Sequence, residues 1–536
     1  MERTGRTLRA LMAACGVALV LAACDTNTTA VNTGTATPVA TVAGTTGDVA
    51  AVDPNYIYNQ LFYLATHFLR REAGYDNGLP PGQNGHDEFA AYWTQEITKD
   101  LAGFGPTART DPFSVQGWSN RPATVSAFNQ EVSVPGITHP DQVVVIGCHY
   151  DGMAFSSQSA NDDASGCAIE LGIAKAMGAY WRAHHTYPAR TLRFVLFDAE
   201  EQGLFGSFHY VNTTVNGDLG NIVAMFNEEQ NGIAYPLRYL GKTSNPLLPY
   251  YLDLSPLSNN QLYPTQDQLP QSQHDAITRF RALMAQAVPA VFAEFRALGD
   301  GTLTYHNDQN QPVNQAIFTP ADLTTMQAED DTLGSSDQVP FTMAGLPCAT
   351  LVGNSTYYDP SPPPWSYPYD QPQDTIQLMN TFASGRSSQS QALTLALALP
   401  GMLTAWMLSQ PDVLGQAPAD GKPLAAMSDI GQAVAGQSLA LDAQASFDPA
   451  GGALSYQWGF GDGATASGIA VSHTYSAPGS YKVTLAVQGT GGTRTVTKTI
   501  NVLANAIQFP NPYGGFSSDG MPPSNPAVTL PTPGPA

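Results

Sequence analysis

The sequence predicts an α/β domain, a mixed and mostly parallel sheet sandwiched by helices, followed by a small all-β sandwich. Three observations carry this prediction. Between residues 142 and 227 apolar strand-like runs alternate with helical stretches, the pattern of a sheet covered by helices on both faces. From about residue 417 helical periodicity stops and short alternating segments take over. The chain is 536 residues long, too long for one ordinary domain, and 43% of it is hydrophobic, enough for two cores.

The first segment reads as an address. MERTGRTLR carries three arginines and ALMAACGVALVLAA (10–23) is apolar but too short to span a bilayer, which is the layout of a secretory signal peptide over 1–23. It stops at LAAC (21–24), which resembles the bacterial lipobox, and this implies a lipid on Cys24. Cleavage after Ala23 without lipidation is the alternative. The expectation is an exported protein of the bacterial cell envelope, held at a membrane by Cys24, with two or more acyl chains giving stable anchoring. Residues 24–52 are poor in bulky apolar side chains and read as a flexible tether.

A globular pattern runs from 53 to 412. Helical spacing is predicted over 55–74 and 88–105. QVVVIGCHY (142–150) reads as a buried strand, 164–183 as a helix, and TLRFVLFD (191–198) and NIVAMFN (221–227) as further strands. ALTLALALPGMLTAWML (392–408) is only 17 residues and is broken by Pro400-Gly401, so it reads as a buried terminal helix. Beyond it, 417–504 reads as the β-sandwich and 505–536 as a disordered Pro-rich tail. Beyond the anchor cysteine, Cys148, Cys167 and Cys348 lie in apolar surroundings and read as buried free thiols.

Charge limits the function classes. Lys+Arg is 22 against Asp+Glu 44, a net charge of −22 that argues against nucleic acid as a partner. Charged residues make up only 12%, so the chain is not a disordered polyelectrolyte. The acids nevertheless cluster where packing gives no reason for them. FDAEEQG (197–203) ends a buried run on Asp198, Glu200 and Glu201, and the nearest basic residue is Arg193, back inside the strand. His149 and Asp151 lie in CHYDG, Asp162 and Asp163 in ANDDASG, Glu228 and Glu229 in NEEQNG. Each alone reads as a solvated loop acid or a helix cap, Asp163 as an N-cap. Four such clusters in order, at strand ends or a helix start, point to a bound cation: zinc takes imidazole and carboxylate, and two metals can share a carboxylate. Asp151 is placed to orient the His149 imidazole.

HYDG, ANDDASG, FDAEEQGLFGS and SSDQVPFTMAGLPCATL (335–351), in that order, resemble the M28 family of zinc peptidases, over roughly 55–410 with a poor match across 235–330. The resemblance implies a zinc-exopeptidase-like fold and two zinc ions per chain. His149 and Glu229 would bind one metal, Glu201 the other, and Asp162 would bridge them through a cis Asp162–Asp163 peptide. Glu200 would take a proton from the attacking water and pass it to the leaving amine, with Asp198 structural. YQWGFGDG (456–463) and VSHTYSAPGSYKVTLAV (471–487) resemble a PKD domain, which makes GDGATA a turn and His473 a packed strand residue without a metal role.

Two positions depart from the M28 pattern. Glu229 stands where Asp is usual, and Asp370, in SYPYDQPQDT (366–375), stands where the last His ligand is expected. Asp370 as an oxygen ligand would shift preference toward manganese or magnesium. His306 and His274 are the substitutes, both read as surface loop or helix cap. Three functions follow: a lipid-anchored aminopeptidase or peptidase acting on peptides or proteins; a glutaminyl-cyclase-like acyltransferase with one zinc; or a degenerate scaffold whose PKD domain contacts polysaccharide or protein.

Overall fold

The computed structural model describes residues 50–74, 85–115, 125–153, 156–233, 251–255, 269, 271–298, 302–306, 312–316, 328–330, 336–352, 371–384, 387–410 and 416–506. Its helices are α1 (Pro54–His67), α2 (Gly85–Asp100), α3 (Ala164–His184), α4 (Phe205–His209), α5 (Gln271–Leu298), α6 (Gln338–Met343), α7 (Ile376–Ser384) and α8 (Gln391–Ser409). The strands of the first domain are β1 (Thr107–Val115), β2 (Val125–Val134), β3 (His139–His149), β4 (Thr186–Pro188), β5 (Arg190–Phe197), β6 (Ile222–Glu229), β7 (Tyr251–Ser255), β8 (Thr302–His306), β9 (Pro312–Ala316), β10 (Ala328–Asp330) and β11 (Cys348–Val352). After β12 (Gln416–Pro418) come β13 (Ala433–Val434), β14 (Ser438–Asp442), β15 (Ser455–Gly459), β16 (Thr465–Ser467), β17 (Ala470–Thr474), β18 (Gly479–Gly489) and β19 (Gly492–Leu503).

The main sheet has the order β1-β2-β5-β3-β6-β11-β7-β10. Its centre, β5-β3-β6-β11, is parallel. The β1-β2 hairpin adds antiparallel to β5, and β7 pairs antiparallel with β11. Because side chains alternate along a strand, each central strand feeds two cores. Val144, Ile146, Leu192, Phe194, Leu196 and Phe226 pack against helices that include α1, α3 and α8. Val143, Val145, Val195, Phe197 and Met225 pack on the other face against Tyr210, Leu219 and Phe341.

The predicted α/β class stands, with local corrections. The first helix ends at His67, not at 74, because the buried Arg71 guanidinium is drawn off to the carbonyls of Tyr150 (2.8 Å), Gln158 (2.6 Å) and Ser159 (2.9 Å). The β1-β2 hairpin is absent from the sequence reading: β1 alternates half-buried and exposed residues and contains Pro112, so it offers no apolar run. By length and composition α8 could cross a membrane, but nearly all of it is buried in the core of the domain, as expected of a terminal helix.

The C-terminal domain pairs a five-stranded sheet, β13-β19-β18-β15-β16, with the two-stranded β14-β17 around Trp458, Tyr475, Val483, Leu485 and Ile500. Gly461 and Gly463 have φ of +84° and +95°, so GDG is a turn. His473 stacks on Phe460 and bonds Asp462 at 2.7 Å, a packed strand residue.

Candidate metal centre

β5, β3 and β6 are neighbours, so their carboxyl ends bring Phe197, His149 and Glu229 to one edge of the sheet. Ligands of open α/β sheets gather at such ends. His149 Nε2 lies 2.9 Å from Asp162 Oδ1 and 3.7 Å from Glu229 Oε1. Asp162 comes from the loop that opens α3. Its backbone N–H and that of Asn161 donate to Asp374, at 3.0 and 2.9 Å. The Asp162–Asp163 peptide is cis, the form the M28 resemblance implies. Asp163 Oδ1 caps α3 through the Gly166 N–H (2.9 Å) and accepts the Gln230 N–H (3.0 Å). His149, Asp163 and Glu229 each offer a ligand atom within 4.8 Å of the others, so both aspartates of the pair border the centre. Asp162 is the one against the imidazole, while one Asp163 oxygen is committed to the cap.

The three acids after β5 separate into roles. Asp198 is fully buried and accepts from His86 Nε2 and the N–H groups of Phe128 and Ala199, all at 2.8 Å, so it is structural. Asp151 Oδ1 accepts the Glu200 N–H at 3.0 Å and Oδ2 the Glu201 N–H at 3.2 Å, while Oδ1 stands 3.5 Å from His149 Nδ1. One carboxylate thus fixes both the imidazole and the turn carrying the two glutamates. Asp151→Asn presents an amide N–H to those donors and is expected to weaken zinc binding by about 10–100-fold. Chelator competition measures this, with circular dichroism confirming an unchanged fold.

Glu228 and Glu229 point to opposite faces of β6. Glu229 Oε2 accepts Ser336 Oγ at 2.6 Å and Oε1 accepts Gln230 Nε2 at 3.0 Å, which braces the longer side chain at this position. Glu228 turns into the helical core and accepts Thr404 Oγ1 from α8 at 2.7 Å. Burial pushes its carboxyl up to about 8, with the Thr404 hydroxyl opposing. The folded chain therefore holds this proton more tightly than the unfolded chain does. Stability falls as pH rises from the ordinary Glu value of about 4.3 to about 8, and the loss is complete above that. Thermal melts of metal-free Glu228→Gln should show an advantage over the parent that grows from pH 5 to pH 8 and then levels off.

The charges at the centre favour a cation. Burial alone lowers the His149 pKa, but Glu229, Glu200, Asp151 and Asp162 outweigh it and raise it well above the ordinary value. Burial pushes Asp162 up to about 6, with His149 opposing, and burial also raises Glu200 well above its ordinary value, with His149 opposing and Glu229, Asp337 and Asp162 adding to the rise. Glu229 is held low against its burial by His149, Ser336 and Gln230. Several carboxylates around one imidazole, with His149 Nε2 facing Asp162 and Glu229 and Asp163 Oδ2 buried without a hydrogen bond, form a donor set that suits zinc or another divalent ion. His149, Asp162 and Glu229 would hold it.

The remaining positions are less complete. Glu201 is half-buried beside Glu200. Asp370 lies outside the described residues. His274 lies in the first turn of α5, and His306 ends strand β8 where a loop or cap was expected, because it pairs with Pro312. Cys148, Cys167 and Cys348 are buried free thiols, as expected. The sequence reading missed Ser336, the brace of Glu229, and Asp337, a buried carboxyl pushed up to about 7 by burial, with His149 opposing. Both stand in SSDQVPF, and an Asp followed by an apolar helix was the available signal.

Residues 131–322 match the model of peptidase family M28, and residues 421–504 that of the PKD domain. An aminopeptidase of Bacillus subtilis is 35% identical over 100 residues, 18% of this chain and 20% of that protein. The chain thus spans about a fifth of that relative's length. Among solved structures, a zinc aminopeptidase from Bacillus subtilis aligns at TM-score 0.42 and 14% identity, covering 67% of this chain and 95% of that one. A glutaminyl cyclase of Porphyromonas gingivalis aligns at TM-score 0.41 and 14% identity, covering 67% and 99%. The chain therefore carries a peptidase family M28 domain, matched over 131–322, followed by a PKD domain.

Proposed function

We propose that this chain is a zinc metallopeptidase that removes N-terminal residues from peptides, exported and lipid-anchored through Cys24. The observation that carries the reading is the meeting of His149, Asp162 and Glu229 beside a turn that presents Glu200 and Glu201. Zinc, when held there, polarises a carbonyl and acidifies water. Glu200 accepts the proton of the attacking water and delivers it to the leaving amine. Asp151 holds Glu200 in place, and Glu201 and Asp370 complete the set for a second metal. The acids leave a negative pocket for the α-ammonium of a peptide. The test incubates zinc-loaded protein with unblocked, N-acetylated and N-terminal glutaminyl peptides. Free amino acid from unblocked peptides alone is expected. Cleavage of the acetylated peptide rules out the aminopeptidase assignment, and pyroglutamate without hydrolysis makes the chain a cyclase. The location rests on LAAC alone, and mass spectrometry of Cys24 in membrane fractions tests it.

A further inference from the structure

The PKD domain meets the M28 domain through charges buried between them. Asp429 pairs with Arg193 of β5 and, at 2.7 Å, with Arg109 of β1. Both arginines also face Glu131 of β2, Arg109 at 2.9 Å and Arg193 at 4.0 Å. Tyr210 closes this group by donating to Glu131 at 2.7 Å. Beside it, Lys498 of β19 donates to Asp218, which leads into β6, at 2.5 Å, and each side chain is only 2% exposed. The backbones also join. Gly217 N–H donates to the Ile430 carbonyl at 2.7 Å, Ile430 N–H to Asp218 Oδ1 at 3.3 Å, and β12 pairs antiparallel with β4. Arg494 of β19 donates to the Ile137 carbonyl just before β3.

A flexibly attached binding module has no need of such a contact. Domain motion is the default for a small polar interface, but charges that are paired and removed from water resist separation. Here Arg193, Asp218 and Lys498 are buried, and the Asp429 side chain is only 8% exposed. Removing one partner of a buried pair leaves a desolvated charge behind, which is strongly destabilising. Asp429 is held low, against its burial, by Arg193, Arg109 and Lys498, so the folded form keeps it ionised. The Asp218 and Ile137 contacts lie at the strand ends away from the metal centre. Asp218 precedes β6 and Ile137 precedes β3, whereas His149 and Glu229 end those strands. At about 3.3 Å per residue the two ends of β6 stand roughly 23 Å apart.

We infer that the PKD domain is an obligate part of the peptidase fold: it neutralises charges that the M28 domain buries on the Tyr210 face of its sheet and before β6, and the two unfold as one unit. Differential scanning calorimetry of the full chain tests this and does not depend on any catalytic reading. The parent should unfold in one cooperative transition. Asp429→Asn removes the charge facing both arginines. Gly217→Ala is a wedge without charge, since its Cβ would stand 2.3 Å from the Gly431 carbonyl oxygen. Each should lower the whole transition by roughly 5 °C or more. Two resolved transitions in the parent, or a single transition that either variant leaves in place, overturns the inference.

Discussion

Glu200→Gln should keep the metal content of the parent while hydrolysis falls by about 10²–10⁴. The amide is nearly isosteric, and the turn that carries it is held by the Asp151 contacts to the backbone N–H groups of Glu200 and Glu201, which the substitution leaves intact. His149, Asp162 and Glu229 are likewise untouched. What is lost is the oxygen that accepts the proton from water. Metal analysis and steady-state hydrolysis on the same preparation separate the two effects. Near-full turnover would remove Glu200 from the proton-transfer role, and lost metal would make it a ligand.

The second large effect concerns Asp370, proposed as the fifth ligand. Asp374, four residues on, accepts the N–H groups of Asn161 and Asp162, in the loop that carries the proposed bridging aspartate. Asp370→Ala should lose the second metal and most activity. Asp370→His should retain zinc, because imidazole is a ready zinc donor. If Asp370→Ala binds two metals as the parent does, Asp370 is a bystander and the donor set must be completed from elsewhere.

Much of the site was legible because chemistry was concentrated at strand ends. Strongly apolar runs located β3, β5 and β6, and acids with no basic neighbour marked where they end. The M28 resemblance also set Asp198 apart from Glu200, and the structure gives a reason: His86, from α2, reaches across to bond Asp198. What failed was long-range. Ser336 braces Glu229 from 107 residues away, and Asp163, read as the N-cap of α3 that it is, also borders the centre. No local period encodes either contact. The β1-β2 hairpin was invisible because β1 is a half-exposed edge without an apolar run and β2 buries Asn129, Gln130 and Glu131 among its apolar residues. The PKD fold was readable from its motif, but its docking was not. Arg193 read as a lone basic residue inside a strand, and its partner, Asp429, lies in the other domain.

The central claim is a dinuclear metal centre that drives peptide hydrolysis, and a zinc titration of metal-free protein tests it most directly. Chelator-treated chain is titrated while zinc bound and peptide hydrolysis are followed together. The expected result is no activity without metal, saturation at two equivalents per chain, and full hydrolysis only as the second is taken up. Saturation at one equivalent, or hydrolysis that persists in the metal-free chain, would contradict it.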